Sequence, residues 1–118
     1  MRNFRNLEIW KQGIELVKMI YQIANKLPRK ETYGLRSQIT RAAVSVPSNI
    51  AEGSSRNSEK EFKRFLEIAI GSLFEIETQL IIIKELNLIA NLDITLMMSL
   101  IIKEAKQINS LITRLKNQ

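Results

Sequence analysis

The residues with the types and spacing to do chemistry are two carboxylates and two groups of cations. Glu52 and Glu75 would serve as a general acid and base, or as oxygen ligands for a hard metal ion, if a fold brought them face to face. Arg56, Lys60, Lys63 and Arg64, spaced by four, three and one, put positive charge on one side of a helix start. Backbone amides at Ser54 and Ser55 add donors there for a phosphate. Lys26, Arg29 and Lys30 make a second basic group. Beyond these the repertoire is narrow. The sequence has no Cys and no His, which excludes disulfides, thiolate metal sites, Ser-His and Cys-His nucleophiles and any His-ligated metal. The run Gly53-Ser54-Ser55 lacks the Lys-Ser/Thr ending and the preceding strand of a phosphate-binding loop. There is no Glu-x-x-His pair of the kind di-iron bundles use. A small hydrolase built on Glu52 and Glu75 is the weakest reading, and the expectation is a protein without catalytic residues, cofactor or metal.

Charge points more usefully. The chain has 18 Lys+Arg against 12 Asp+Glu, a formal net charge of +6 at pH 7. Residues 1–64 carry 13 basic and 6 acidic side chains, whereas residues 65–118 carry 5 and 6. Positive charge is a property of the first half, and RNA or DNA is the class of partner it favours. The contacts expected on this reading are Lys26, Arg29, Lys30, Arg41, Arg56, Lys60, Lys63 and Arg64. Glu59, Glu61 and Glu67 interleave with the Arg56–Arg64 group, and a helix face of mixed sign is ordinarily just solvated. No helix-turn-helix spacing, RNA-recognition aromatic pair or zinc module strengthens the case.

The elements that position these residues follow from periodicity. With four Gly and two Pro in 118 residues, long uninterrupted elements are expected, in a single domain over 1–118. Apolar residues recur every three or four positions in four segments, which is the helical period. The first helix is expected over 6–27, with a core stripe of Leu7, Trp10, Ile14, Val17, Tyr21, Ala24 and Leu27, widened by Ile9, Leu16, Ile20 and Ile23 and ended by Pro28. The second is expected over 32–52, with Thr32 as N-cap, a stripe through Leu35, Ile39, Ala42, Val46 and Ile50, a kink or break at Pro47, and Gly53 in the left-handed position after its end. The third is expected over 58–86, opened by a Ser58/Glu61 capping box, with core positions at Phe62, Phe65, Ala69, Leu73, Ile76, Leu80 and Ile83, and closed by Asn87. The fourth is expected over 93–116, capped by Asp93, with Ile94, Met97, Ile101, Ala105, Ile108, Ile112 and Leu115 inward. Short connections make this an all-α, antiparallel up-and-down four-helix bundle.

Helix 2 also carries a polar stripe of Gln38, Arg41, Ser45, Asn49 and Glu52 beside its apolar one. Helix 3 offers Ser72, Glu75, Glu77 and Gln79 to meet it. An Arg41–Glu75 pair, with Ser45 or Asn49 bonding backbone freed by Pro47, would fix the register of the two helices. Trp10, Tyr21 and the Met97-Met98 pair read as packing.

Two helices are too apolar for one bundle face. The runs Leu80-Ile81-Ile82-Ile83 and Leu100-Ile101-Ile102 point around most of a helix circumference, where a bundle helix needs about three apolar positions in seven. A homo-oligomeric interface is the expected cover. Glu67, Glu75 and Glu77 within the most apolar window, 65–83, argue against a membrane span. The N-terminal Met1-Arg2-Asn3-Phe4-Arg5 lacks the pattern of a signal peptide, so the expected location is the cytoplasm.

The run Leu35-x-x-Gln38-Ile39-x-Arg41-Ala42-Ala43-Val44-Ser45-Val46-Pro47-Ser48-Asn49-Ile50-Ala51-Glu52-Gly53 is distinctive. It is followed by Arg56, Ser58, Phe62, Phe65-Leu66, Ala69, Gly71-Ser72 and Glu75, and preceded by Phe4-Arg5-x-Leu7, Trp10, Tyr21, Pro28 and Glu31. In these residues the chain resembles the bacterial four-helix-bundle proteins encoded in 23S rRNA intervening sequences, also called S23 ribosomal protein-like. That family is similar to the accessory proteins of diversity-generating retroelements, which are basic pentameric barrels that associate with a reverse transcriptase and with nucleic acid. The resemblance implies a homopentamer, RNA or DNA binding, and a reverse transcriptase or other protein as partner; it implies no enzyme activity. The chain departs from the family in having Thr40 where a second basic residue often precedes Ala42, and Asn87 where Gly is common. The alternative is an oligomeric protein-binding scaffold without affinity for nucleic acid.

Overall fold

The computed structural model describes residues 2–116. The expected domain over 1–118 also includes Met1, Asn117 and Gln118, which lie outside the described residues. Four helices carry the fold: α1 (Glu8–Ala24), α2 (Leu35–Ser54), α3 (Glu59–Glu85) and α4 (Thr95–Lys116), with short 3-10 turns at Phe4–Asn6 and Arg29–Glu31. No strand occurs among the described residues. Each helix packs against two neighbours, in the cyclic order α1, α2, α3, α4, and the backbones of the diagonal pairs stay more than 8 Å apart. The result is the up-and-down bundle the periodicity requires, an elongated body of 47 × 23 × 20 Å.

Local chemistry sets the helix ends. The Ser58 hydroxyl accepts the Glu61 amide at 3.1 Å, opening α3. Asn87, at φ 51°, takes the left-handed position that ends it. Asp93 caps α4 through the Thr95 amide at 2.9 Å, and those bonds hold its carboxyl below the usual carboxylate value. The start of α2 is not where the sequence put it. Thr32 turns its hydroxyl back to the Arg29 carbonyl at 2.7 Å, closing the 3-10 turn. The helix starts at Leu35, whose amide donates to Glu31 Oε1 at 3.3 Å. An acid four residues upstream replaces the threonine as cap.

The core contains Ile20, Ile39, Ile50, Leu66, Leu73, Ile76, Leu80, Ile83, Ile101 and Ile108, all fully buried. In α1 the buried line is Ile9, Gly13, Leu16, Ile20 and Ala24. The expected line through Trp10, Ile14 and Val17 is only half-buried, and Tyr21 is exposed rather than inward. The reason is a close contact: a Cβ at Gly13 would lie 3.3 Å from Pro47 Cβ, so the glycine admits the proline ring and rotates α1 onto that face. Pro47 neither breaks nor ends α2, which runs through it to Ser54. Gly53 lies inside the helix without a positive φ. Its role is space, since a Cβ there would sit 2.6 Å from Phe65 Cβ. In α3, Leu66 is fully buried whereas Phe65 is half-buried.

Candidate functional site

The antiparallel order separates the two basic groups. Lys26, Arg29 and Lys30 lie at the α1–α2 turn, and Arg56, Lys60, Lys63 and Arg64 lie at the opposite end, where α2 hands over to α3. The 20 residues of α2 put roughly 30 Å between them, so one chain cannot present them as one surface. Arg41 stands alone between the two, exposed on α2, with no carboxylate within ion-pair distance among the described residues.

At the α2–α3 end the side chains do converge. Arg56, Lys60, Glu61, Arg64 and Phe65 line an open hollow of about 430 Å³. Arg56 is held in place by Glu52 at 3.0 Å and lies 4.8 Å over the Phe65 ring. Lys60 and Arg64, one helical turn apart, carry no intramolecular ion pair among the described residues. Lys63 is not part of this hollow. Arg2, which sequence reasoning missed, braces the corner: its guanidinium pairs with Glu59, lies 4.4 Å over the Phe62 ring and donates to the Arg56 carbonyl at 2.8 Å. Nothing in the spacing of Arg2 signals that role, because its partners lie more than fifty residues away. Arg114 near the end of α4 flanks the same end of the bundle, beside Asn6 and Leu7. The site is thus a cationic hollow with an aromatic floor, in which Arg56 is fixed by Glu52 while Lys60 and Arg64 have no ion-pair partner among the described residues, suited to an anionic oxygen and a flat ring.

The polar stripe of α2 forms two small networks instead of one. Ser45 and Ser72 share a hydrogen bond of 2.8 Å, and Asn49 donates to the Ser45 carbonyl and hydroxyl, each at 2.8 Å. Pro47 frees the Ala43 carbonyl, two residues before Ser45, so the expected bond to the freed backbone is not the one made. One layer away, Gln79 donates to Gln38 at 3.5 Å and to Glu75 at 3.4 Å. Gln79, one of the helix 3 polar residues expected to meet the stripe, is buried. The Arg41–Glu75 pair does not form; both side chains face solvent. Glu52 pairs with Arg56, not with anything on the middle of α3. With Ser45 level with Ser72, and Gly53 level with Phe65, Glu75 lies level with residue 42 of α2. It is then about 15 Å along the axis from Glu52, too far for a shared proton or metal.

The strongest electrostatic departure lies elsewhere. Glu104 of α4 is fully buried, and neither carboxyl oxygen has a hydrogen-bond partner among the described residues. Burial alone pushes its pKa up to about 8. It lines a groove of about 340 Å³ between α1 and α4. The sequence masks it, because a glutamate among Lys103, Ala105 and Lys106 reads as part of a solvated face. No group of three or more His, Cys, Asp or Glu able to hold a metal occurs among the described residues. No helix among them is long and apolar enough to cross a membrane.

The model of the 23S rRNA-intervening sequence protein family matches residues 5–110. The chain belongs to this family. The match takes in every helix and both basic groups, stopping within α4. In this 23S rRNA-intervening sequence protein, the distinctive 35–53 run is the helix that carries Pro47 against Gly13, Ser45 against Ser72 and Gly53 against Phe65. No curated protein matches the chain.

Proposed function

We propose that the protein is a non-enzymatic, homo-oligomeric, basic helical bundle that binds RNA or DNA as an accessory factor. Its α2–α3 end forms the contact. The observation that carries this reading is the convergence of Arg56, Lys60 and Arg64 around one hollow floored by Phe65. Lys60 and Arg64 are free there to meet phosphate, and the rim of Phe65 can meet a base or sugar. A single hollow is a weak anchor, and repetition around an oligomer axis multiplies it. The apolar residues left exposed on α3 and α4, among them Phe74, Ile81 and Ile102, support assembly. The resemblance to accessory proteins of diversity-generating retroelements supports five copies and a reverse transcriptase as partner, in the cytoplasm.

The test is binding to a short single-stranded RNA and its DNA counterpart across a salt series. The doubly substituted Lys60→Ser/Arg64→Ser chain is expected to bind at least tenfold more weakly and to reduce the slope of log affinity against log salt by about 1.4 per chain. Lys63→Ser is expected to change affinity less than threefold. Full binding by the double variant would move the contact elsewhere. Absence of any salt-dependent binding by the unaltered protein would leave the second reading, a protein-binding scaffold, which the same exposed Phe74, Ile81 and Ile102 favour.

A further inference from the structure

Tyr33 belongs to neither polar network nor the α2–α3 hollow, and it has no place in the core. It is 95% exposed, whereas the next most exposed large apolar residues, Leu86 and Leu96, stand at 63%. Other rings of the chain find partners: Phe62 lies under Arg2, Phe65 under Arg56, and Phe4 against Trp10. Tyr33 has no ring or guanidinium against it among the described residues. A ring left in water forgoes the burial that ordinarily makes an aromatic side chain stabilising, so packing does not account for it. Lys26, Arg29 and Lys30, in the same connection between α1 and α2, are exposed as well. They form no ion pair among the described residues.

The turn that carries the ring is stiff. Leu27 anchors its start in the core, and Pro28 fixes its own φ. The amides of Glu31, Thr32 and Gly34 donate to the carbonyls of Pro28, Arg29 and Glu31 at 2.9, 3.0 and 3.1 Å. The Glu31 carboxylate is engaged by the Leu35 amide. A Cβ at Gly34 would lie 2.9 Å from the same carboxylate oxygen, so the glycine leaves room for that cap. Arg36 donates to Asn25 Oδ1 at 2.7 Å, tying the start of α2 to the end of α1. A ring projected from such a turn loses little freedom when a ligand covers it.

A flat ring beside unpaired cations suits a ligand with exposed flat faces and anionic oxygens. A single-stranded nucleic acid offers an open base to the ring and phosphates to the cations. A duplex offers its backbone alone, because its bases are already stacked on one another. Glu85 and Asp93 carry negative charge onto the α3–α4 side of the same end, which opposes seating that whole end on an anionic bilayer. We infer that the α1–α2 turn is a second nucleic-acid contact, selective for single strands, in which Tyr33 stacks on an unpaired base while Lys26, Arg29 and Lys30 meet the flanking phosphates. The inference rests on the nucleic-acid reading above. The 20 residues of α2 set this contact roughly 30 Å from the α2–α3 hollow, so the two take separate segments of strand.

The probes are a mixed-sequence RNA without self-complementarity and the duplex it forms with its complement, both at low salt. Binding is measured in the Lys60→Ser/Arg64→Ser chain, whose residual affinity reports the turn. Adding Tyr33→Ala is expected to weaken single-strand binding about fivefold or more and duplex binding less than about twofold. Adding Tyr33→Phe is expected to leave both within about twofold of the parent, since the ring is kept. Thermal melts of the three chains are expected to coincide, because the side chain packs on nothing. Single-strand binding that Tyr33→Ala leaves unchanged overturns the second contact, and so does a Lys60→Ser/Arg64→Ser chain with no residual binding. The α2–α3 contact stands in either case wherever Lys60→Ser/Arg64→Ser itself weakens binding. Equal losses on the two probes overturn stacking by Tyr33. An unaltered protein that binds neither probe overturns this inference and the nucleic-acid reading together.

Discussion

At Glu104 the chain buries a carboxyl that no donor meets, and the proton takes the place of a partner. Its folded pKa of about 8 lies far above the ordinary glutamate value. Between about pH 5 and 8 the folded chain therefore holds a proton that the unfolded chain has released. Stability of the dissociated chain must fall as pH rises through that window, by up to about 1.4 kcal/mol per unit, and level off on either side. The other titratable groups at the groove, Glu8, Lys11 and Glu15 of α1 and Lys103 of α4, contribute no shift to it. Denaturant melts of the dilute protein at pH 5, 6.5 and 8 check the slope. Glu104→Met should flatten it and gain about 3 kcal/mol at pH 7, having no charge to bury; an unchanged slope would mean another group is titrating.

At the scale of the elements, two glycines of the same sequence class do opposite things. A Cβ at Gly53 would meet the Cβ of Phe65 at 2.6 Å, whereas at Gly71 nothing lies within 4 Å. Gly53→Ala should force α2 and α3 apart and cost about 1–2 kcal/mol net of its better helix propensity, while Gly71→Ala should gain about 0.5–1 kcal/mol. Thermal or urea melts of the two variants read the difference directly. This pair also marks what a sequence can disclose about helices. Their number and rough extents are legible because apolar residues at steps of three and four, Ser58, Asn87 and Asp93 are local signals. Which of two adjacent stripes of α1 faces inward is not, since Ile9-Leu16-Ile20 and Trp10-Val17-Tyr21 are equally periodic. The choice is made by the fit of Gly13 to Pro47, a contact across two helices. Gly53 reads as a helix end for the same reason: its use is visible only with Phe65 beside it. The candidate site was legible as a basic cluster. Its bracing by Arg2, its exclusion of Lys63, and the orphaned Glu104 all depend on pairings between residues distant in sequence.

For the whole molecule, the antiparallel bundle puts Lys26, Arg29 and Lys30 at one end and Arg56, Lys60 and Arg64 at the other, so a single chain offers two small cationic ends and a flank with exposed Phe74, Ile81 and Ile102. Neither end alone makes a large nucleic-acid surface, and the flank alone has no cover. The proposed assembly would resolve both, gathering like ends around an axis and burying the flank. The most direct measurement is the light-scattering mass of the purified protein, alone and with a short RNA at low salt. The account predicts about 68 kDa, five chains of 13.6 kDa, rising on addition of RNA and returning as salt is raised. A mass of 13.6 kDa that RNA leaves unchanged would contradict it.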